Sequence, residues 1–559
     1  MRRLFRLTVF VFMALLILLI ITLSYIEWGL APQEPKPESR AAQSFVREQR
    51  GDTFYNIGNN WLQRNKYGIW EEYIEGDPFE RGVIAGKLNK EMLYTQEEAF
   101  VDQIHRLVPD EKYLRFLHLA TRVFNRDLDK HIPEEYRLEI YGESFSAPHE
   151  FDYISPAYDR ILNYHAAHDI GHAFQSLALV GCTSFSVWGP KSEDSSLLIG
   201  RNLDFSLGDK FAKDKIVLFC KPSGGHRFAI ITWAGFFGCV SGMNEKGLTV
   251  TINAAQSDIP HKAAMPISLL AREILQYAGN IEEAYSIARK RKTFVCETLM
   301  IGSAADGQTA LIEKSISKTA LLYPDSNFIL CTNHYQSKAF ENDENNRENI
   351  ERSASMYRYE RLEELLNRYP VLDHKQAASI LRDQKGLHDR DIGMGNEKSI
   401  NQLISHHAVI FEPEKKRMWV SANPYQLGGF VCYDLQKIFS LAPVIKEYTD
   451  ITDAALLIPA DTFLHTTSWK NFLLFKKLKE TIAETIRLKK RINKENEQLK
   501  QLIACNPEFW ESYYWAARYH QHIGNHEQAI LYYKTALTKE INDLREIDKI
   551  RKEMKKIKS

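Results

Sequence analysis

The periodicity of apolar residues changes at Cys182, and that change restricts the fold of this 559-residue chain more than any other feature. Upstream, residues 55–180 carry mostly helical spacing, broken by a turn at Glu75-Gly76-Asp77-Pro78, and 164–180 read as a helix running up to Gly181-Cys182. Downstream, short β-rich runs alternate with turn residues at 183–188, 196–199, 215–220, 227–233 and 248–253. Helical patterns follow at 266–277 and 281–289. Strand patterns return at 297–302, 309–315 and 327–332, then a helix over 358–366 and a strand pair at 407–411 and 417–422. Strands, then helices, then strands predict an α+β domain of two sheets with helices packed outside.

The chain is too long for one hydrophobic core. The expected divisions are 1–27, 28–54 (a Pro-rich linker), a helical pre-segment 55–181, a catalytic domain 182–445 and a helical region 446–559. Within the last, Ala517, Gly524, Ala529, Tyr533 and Ala536 have spacing that resembles one tetratricopeptide repeat. A single repeat cannot bury its own face, so it should pack against 472–502; an ordinary helical hairpin fits the pattern as well. These helices are the candidate surface for a protein partner. Lys plus Arg equals Asp plus Glu at 72 each, which gives no electrostatic footprint for nucleic acid.

Arg2, Arg3 and Arg6 precede an uncharged run over 7–26. A helix of that length spans a hydrocarbon core of about 30 Å. With arginines on the cytoplasmic side, the expectation is a single-pass membrane anchor with the catalytic part exported. A cleaved signal peptide is the alternative, but Glu27-Trp28-Gly29 follows the run where a small-x-small site would stand. The seven cysteines are scattered without CxxC spacing, which supports neither zinc nor a dithiol site; most lie in apolar runs as core thiols.

Chemistry concentrates around Gly181-Cys182-Thr183-Ser184. A thiol that follows glycine can attack the carbonyl just before it, because no side chain at 181 obstructs the approach. Hydrolysis of the thioester then frees an α-amine, whose pKa of about 8 suits a general base for its own thiol. About twenty residues on, Gly200-Arg201-Asn202-Leu203-Asp204 reads as a turn brought back beside Cys182. Asp204 could orient the freed ammonium, and Arg201 could hold the thiolate by charge; a surface ion pair is the competing explanation. Asn253 and Asn333 end apolar runs, and an amide N–H₂ is a neutral donor suited to an oxyanion, though strand-end asparagines also cap turns. Arg358 lies on an amphipathic helix with Arg361 and could support the cluster or simply be solvated.

The order Gly-Cys-Thr-Ser, Gly-Arg-Asn-x-Asp, Met-Asn-Glu-x-Gly-Leu ending in Asn253, Thr-Asn-His, then Ser-x-x-Arg-Tyr-x-Arg-Leu resembles the acyl-CoA:6-aminopenicillanate acyltransferase family. That family is related to the choloylglycine and penicillin V hydrolases. The resemblance covers residues 70–440 and includes the upstream Glu75-Gly76 and the glycines at 82 and 86. It implies a four-layer αββα N-terminal-nucleophile (Ntn) sandwich. It also implies Cys182 as nucleophile, Gly181 as cleavage partner, Arg201 and Asp204 as flanking pair, Asn253 and Asn333 as site asparagines, and Arg358 or its rival Arg361 as the late arginine.

One competing constellation is His165, His168 and His172, on one face of a helix at metal-ligand spacing. No carboxylate base shares that face, and packing beside Cys182 explains it as well. The expectation is therefore a self-processing cysteine hydrolase or acyltransferase acting on a small-molecule acyl amide or thioester, with no cofactor. A catalytically silent scaffold whose C-terminal helices bind a protein is the alternative.

Overall fold

A computed structural model describes residues 29–108, 110–173, 180–205, 208–492 and 495–558. Its strands, in chain order, are β1 (Glu48–Gln49), β2 (Phe54–Ile57), β3 (Asn60–Arg64), β4 (Trp70–Gly76), β5 (Val180–Val187), β6 (Leu198–Phe205), β7 (Ile216–Pro222), β8 (Phe228–Thr232), β9 (Ser241–Asn244) and β10 (Leu248–Ala254). They continue with β11 (Glu297–Ser303), β12 (Gln308–Lys314), β13 (Thr319–Leu322), β14 (Phe328–Cys331), β15 (Ser405–Glu412), β16 (Arg417–Ser421) and β17 (Phe430–Asp434). One sheet runs β1-β2-β3-β4-β7-β8-β9-β10-β11-β12-β13, the other β14-β5-β6-β15-β16-β17.

The side chains of these strands alternate between cores with a period of two, as pleating requires. Val217 and Phe219 of β7 meet Ile199, Val409, Phe411 and Val420 of the smaller sheet, so that core lies between the sheets. Ile216, Leu218 and Cys220 face the other way. They join helices α1 (Pro78–Leu88), α2 (Glu134–Ser144), α3 (Ala157–Ala173), α4 (Ile267–Tyr277) and α5 (Ile281–Lys290). On the outer face of the smaller sheet, Phe185, Leu198 and Ile410 pack on α6 (Ser355–Arg368) and α7 (His374–Leu381). The order is helix, sheet, sheet, helix, which is the four-layer αββα sandwich expected from the resemblance.

Several local expectations change. Residues 54–76 are three strands of the large sheet rather than the start of a helical segment, and helices begin at Pro78. β4 pairs in parallel with β7. Glu71 and Glu72 are buried in β4, which hides its apolar alternation. Gln63, Asn65 and Tyr433 hydrogen-bond the Glu71 carboxylate there. The helix before the nucleophile ends its described course at Ala173, and the chain is already a strand at Val180. Gly200 to Asp204 belong to β6 and form no turn.

The C-terminal region is helical: α8 (Thr467–Arg487), α9 (Glu495–Cys505), α10 (Trp510–His522), α11 (His526–Ala536) and α12 (Leu544–Lys558). Ala517 of α10 and Tyr533 and Ala536 of α11 share one core with Phe475 and Ile482 of α8 and Leu502 of α9. The hairpin therefore packs where its spacing placed it, as one layer of a larger helical unit rather than as a repeat of its own.

The expected membrane anchor and exported location are corrected. Among the described residues no helix is long and apolar enough to cross a membrane. The longest, α8, has lysines and glutamates on its exposed face. The 7–26 run itself lies outside the described residues.

Candidate active site

Strand β5 sits between β14 and β6, with Cys182 opposite Leu203 and Gly181 opposite Asp204. Alternation sends Cys182, Ser184 and Ser186 toward the large sheet: Ser184 Oγ donates to Asn253 Oδ1 at 2.9 Å, and Ser186 Oγ lies 2.8 Å from Thr309 Oγ1. Gly181 and Asp204 have the opposite phase and face the outer helices.

Three groups converge on Cys182. Its backbone N–H donates to Asn333 Oδ1 at 3.0 Å. Arg201 Nη2 stands 3.6 Å from its Sγ and also donates to Ile252 O at 2.8 Å. Arg358 Nη1 donates to the Cys182 carbonyl at 2.5 Å and to Thr183 Oγ1 at 2.8 Å, while its Nη2 reaches Asn333 Oδ1 at 2.7 Å. Asn333 is held in turn, donating through Nδ2 to Ala254 O at 3.0 Å. Arg361 is elsewhere, in a cluster with Asp383, Asp389 and Glu364. Arg358 is thus the arginine that the helix α6 brings to the cysteine.

Asn253 stands one layer away from the thiol on β10. Its Nδ2 donates to Cys331 O at 3.1 Å, which uses one of two N–H bonds. Residues that carried no sequence signal complete the setting. Arg201 Nη1 donates to Ser241 Oγ at 2.7 Å, and His407 Nε2 lies 2.9 Å from the same hydroxyl. A ladder irregularity between Ser405 and His407 puts them on opposite faces of β15: His407 shares the face of Arg201, and Ser405 shares that of Asp204, donating through Oγ to Asp204 Oδ1 at 2.7 Å. These contacts join residues 40, 166 and 201 positions apart, so spacing alone could not reveal them.

Burial dominates the electrostatics. It pushes the Cys182 thiol up, and Arg201 only partly opposes it. Cys182 is therefore held as a thiol here, which Arg201 does not turn into a thiolate. Burial also pushes Asp204 up to about 7, against the Ser405 hydrogen bond and the charges of Arg358 and Arg201. Asp204 Oδ2 is buried without a hydrogen-bond partner. Unfolded, this carboxyl has a pKa near the ordinary 3.8. Its folded pKa is the higher of the two, so its stability contribution is full below about pH 4 and is lost as pH rises through about 7. Asp204→Asn in a Cys182→Ala background should therefore gain melting temperature at pH 8 relative to the parent, and the gain should vanish by pH 4. A melting-temperature difference independent of pH would contradict the buried-carboxyl assignment.

His165 has its ring occupied: Nδ1 lies 2.9 Å from Ile161 O, Nε2 accepts from Phe237 N at 2.9 Å, and the ring stacks on Phe236. The His168 and His172 side chains lie outside what is described. Among the described residues no cluster of three His, Cys, Asp or Glu could hold a metal ion.

Residues 190–424 match the family model of acyl-coenzyme A:6-aminopenicillanic acid acyl-transferase. That stretch, less than half of the chain, is similar to that family. The match begins beyond Cys182, so the nucleophile segment rests on the geometry above and not on the match. An uncharacterized protein of Archaeoglobus fulgidus is 26% identical over 274 residues, 46% of this chain and 45% of the relative. Protein dcd1B of Dictyostelium discoideum is 22% identical over 291 residues, 49% of this chain and 54% of the relative. The chain thus spans about half the length of the curated relatives it matches. Solved structures with similarity include the Caenorhabditis elegans ortholog of N-acylethanolamine-hydrolyzing acid amidase, 16% identical over 42% of this chain and 93% of that one, TM-score 0.30. Another is a mutant of conjugated bile acid hydrolase from Clostridium perfringens, 13% identical over 46% and 93%, TM-score 0.32. At those scores the structural likenesses carry no argument.

Proposed function

We propose that the chain is a self-processing cysteine Ntn enzyme that cleaves or transfers an acyl group through a Cys182 thioester. The observation that carries this reading is the threefold hold on Cys182: Asn333 at its nitrogen, Arg201 at its sulfur and Arg358 at its carbonyl. An inert core cysteine needs none of these, and buried arginines are costly unless paired.

The first reaction is internal. Sγ adds to the Gly181 carbonyl carbon, the C–N bond to Cys182 breaks, and the thiol proton goes to the departing nitrogen. Water then hydrolyses the thioester, leaving a Gly181 carboxylate and a free Cys182 α-amine. The new amine keeps Asn333 Oδ1 as acceptor, and the unpaired Asp204 Oδ2 is available to receive its charge. With a pKa of about 8, the amine takes the thiol proton for the next attack. A small-molecule acyl amide then acylates Sγ, the ammonium protonates the leaving amine, and water or another amine accepts the acyl group. The second N–H of Asn253 serves the oxyanion in this scheme, with backbone N–H groups beside it.

Intact-mass measurement of the purified full chain tests the reading. Two fragments divided between Gly181 and Cys182 are expected. One undivided chain after prolonged incubation would remove self-processing from the account.

A further inference from the structure

The segment 382–404 is a long irregular connection, yet Ile392, Asn396, Ser399, Ile400, Asn401, Gln402 and Leu403 are all buried in it. Buried irregular backbone must find polar partners, and here the connections between the C-terminal helices supply many of them. Asn506 exchanges hydrogen bonds with the backbone of Met394 at 3.0 and 2.8 Å. Asn396 donates to Glu540 O at 2.9 Å, Lys398 pairs with the Glu540 carboxylate at 2.8 Å, and Asn542 donates to Glu397 at 2.6 Å. From the other side Asn202 of β6 donates to Ile400 O at 3.0 Å. The segment is clamped between the catalytic sheet and the C-terminal helices.

That clamp delivers Gln402 onto Gly181. The Gln402 side chain is 2% exposed, and its Nε2 has no hydrogen-bond partner. A Cβ built on Gly181 would stand 2.7 Å from that Nε2 and 3.1 Å from Oε1. A carbon at 2.7 Å is a clash. An oxygen near the same place would lie at ordinary hydrogen-bond distance from an amide N–H.

Resting on the self-processing reading, we propose that Gln402 determines which acyl groups Cys182 accepts, admitting an unsubstituted or α-hydroxylated acyl group and rejecting an α-methyl one. In self-cleavage the acyl group on Sγ is that of Gly181, and its α-carbon is the Gly181 Cα. A substrate acyl group bound through the same sulfur puts its own α-carbon in that place, under the Gln402 amide. An α-hydroxyl of the matching configuration satisfies the unpaired Nε2. An α-methyl meets it sterically and leaves it unpaired, and an unsatisfied buried donor is the costlier outcome.

Two arms test this. In the first, self-cleavage is timed for wild type, Gly181→Ala, Gln402→Ala and the double variant. Gly181→Ala should cut at least about tenfold more slowly, and Gln402→Ala should recover that loss in the Gly181→Ala background, a coupling expected of side chains in contact. In the second, cut enzyme is offered the p-nitroanilides of butyrate and of both enantiomers of 2-hydroxybutyrate and 2-methylbutyrate. Wild type should turn over one 2-hydroxy enantiomer at least as well as butyrate, and the 2-methyl enantiomer whose methyl takes the same position at least about tenfold worse in kcat/KM. Gln402→Ala should flatten that ranking, and Gln402→Met, which nearly keeps the volume but has no N–H to donate, should lose the preference for the hydroxyl. Ratios between substrates do not depend on the amount of folded enzyme. Additive effects of Gly181→Ala and Gln402→Ala, or an unchanged ranking in both Gln402 variants, would overturn the proposal. If the anilides are inert, the cleavage arm decides. A wild-type chain that never cuts would instead overturn the self-processing reading itself, and this inference with it.

Discussion

Cys182→Ala leaves one chain of full mass and no turnover. Both losses follow from one atom, because the same Sγ attacks Gly181 and then the substrate. Removal of a covalent nucleophile costs on the order of 10⁶-fold in kcat where such residues act as a unit. Cys182→Ser should cut slowly, since a hydroxyl is a poorer nucleophile than a thiol near neutral pH. The fold should survive both changes: Cys182 adds little volume to a core shared with Leu203 and Ile252, and Arg201 keeps Ser241 and Ile252 O as partners. Circular dichroism checks that, and denaturing gels read the cut. A Cys182→Ala chain still divided at 181 would mean an outside protease makes the cut.

Asn253→Ala should lower kcat about 10²–10³-fold, roughly 3–4 kcal/mol of transition-state stabilisation, with KM changed far less. The amide has one N–H on Cys331 O and the other to offer, and Ser184 fixes its orientation through Oδ1. Asn253→Asp should be worse, because a carboxylate repels the oxyanion. The assay uses mature protein, normalised to the free N-terminal Cys182, so that slow processing is not counted as slow turnover. If Asn253→Ala retains near-normal kcat, the residue is only a link between β10 and β14, and Asn333 or backbone N–H groups supply the donor.

The sandwich was legible because most of its strands announce themselves by alternation, and the candidate site was proposed because its residues recur in a known order. Asn333 and Arg358 were named from that order, and the fold explains them by bringing both onto Cys182. The rest was hidden for physical reasons. β4 carries two buried glutamates, whose burial depends on a parallel partner almost 150 residues away. A stretch such as Trp70-Glu71-Glu72 looks solvated until that partner is known. Gln402 sits in a segment with no periodicity at all, and only the backbone opposite it, a bare glycine Cα, gives its amide a meaning. Asp204 was read as a turn residue because Gly200 precedes it. In the sheet that glycine instead makes room for the Phe185 ring, which would lie 2.5 Å from a Cβ there.

The large sheet is built from both sides of the proposed cut. Strands β1 to β4 and helices α1 to α3 precede residue 181, yet β4 is hydrogen-bonded along its length to β7, and the helices share a core with β7, β8 and β10. Hydrolysis at 181 would therefore not discard a leader; it would turn one polypeptide into two that remain a single body. Folding and assembly then part company. The intact chain meets its own strands at an effective concentration fixed by tethering, whereas unfolded fragments must find each other by diffusion. The cut would leave the native contacts in place while making their loss dependent on dilution, so that the matured protein is kept by the slowness of its opening more than by its ability to reassemble.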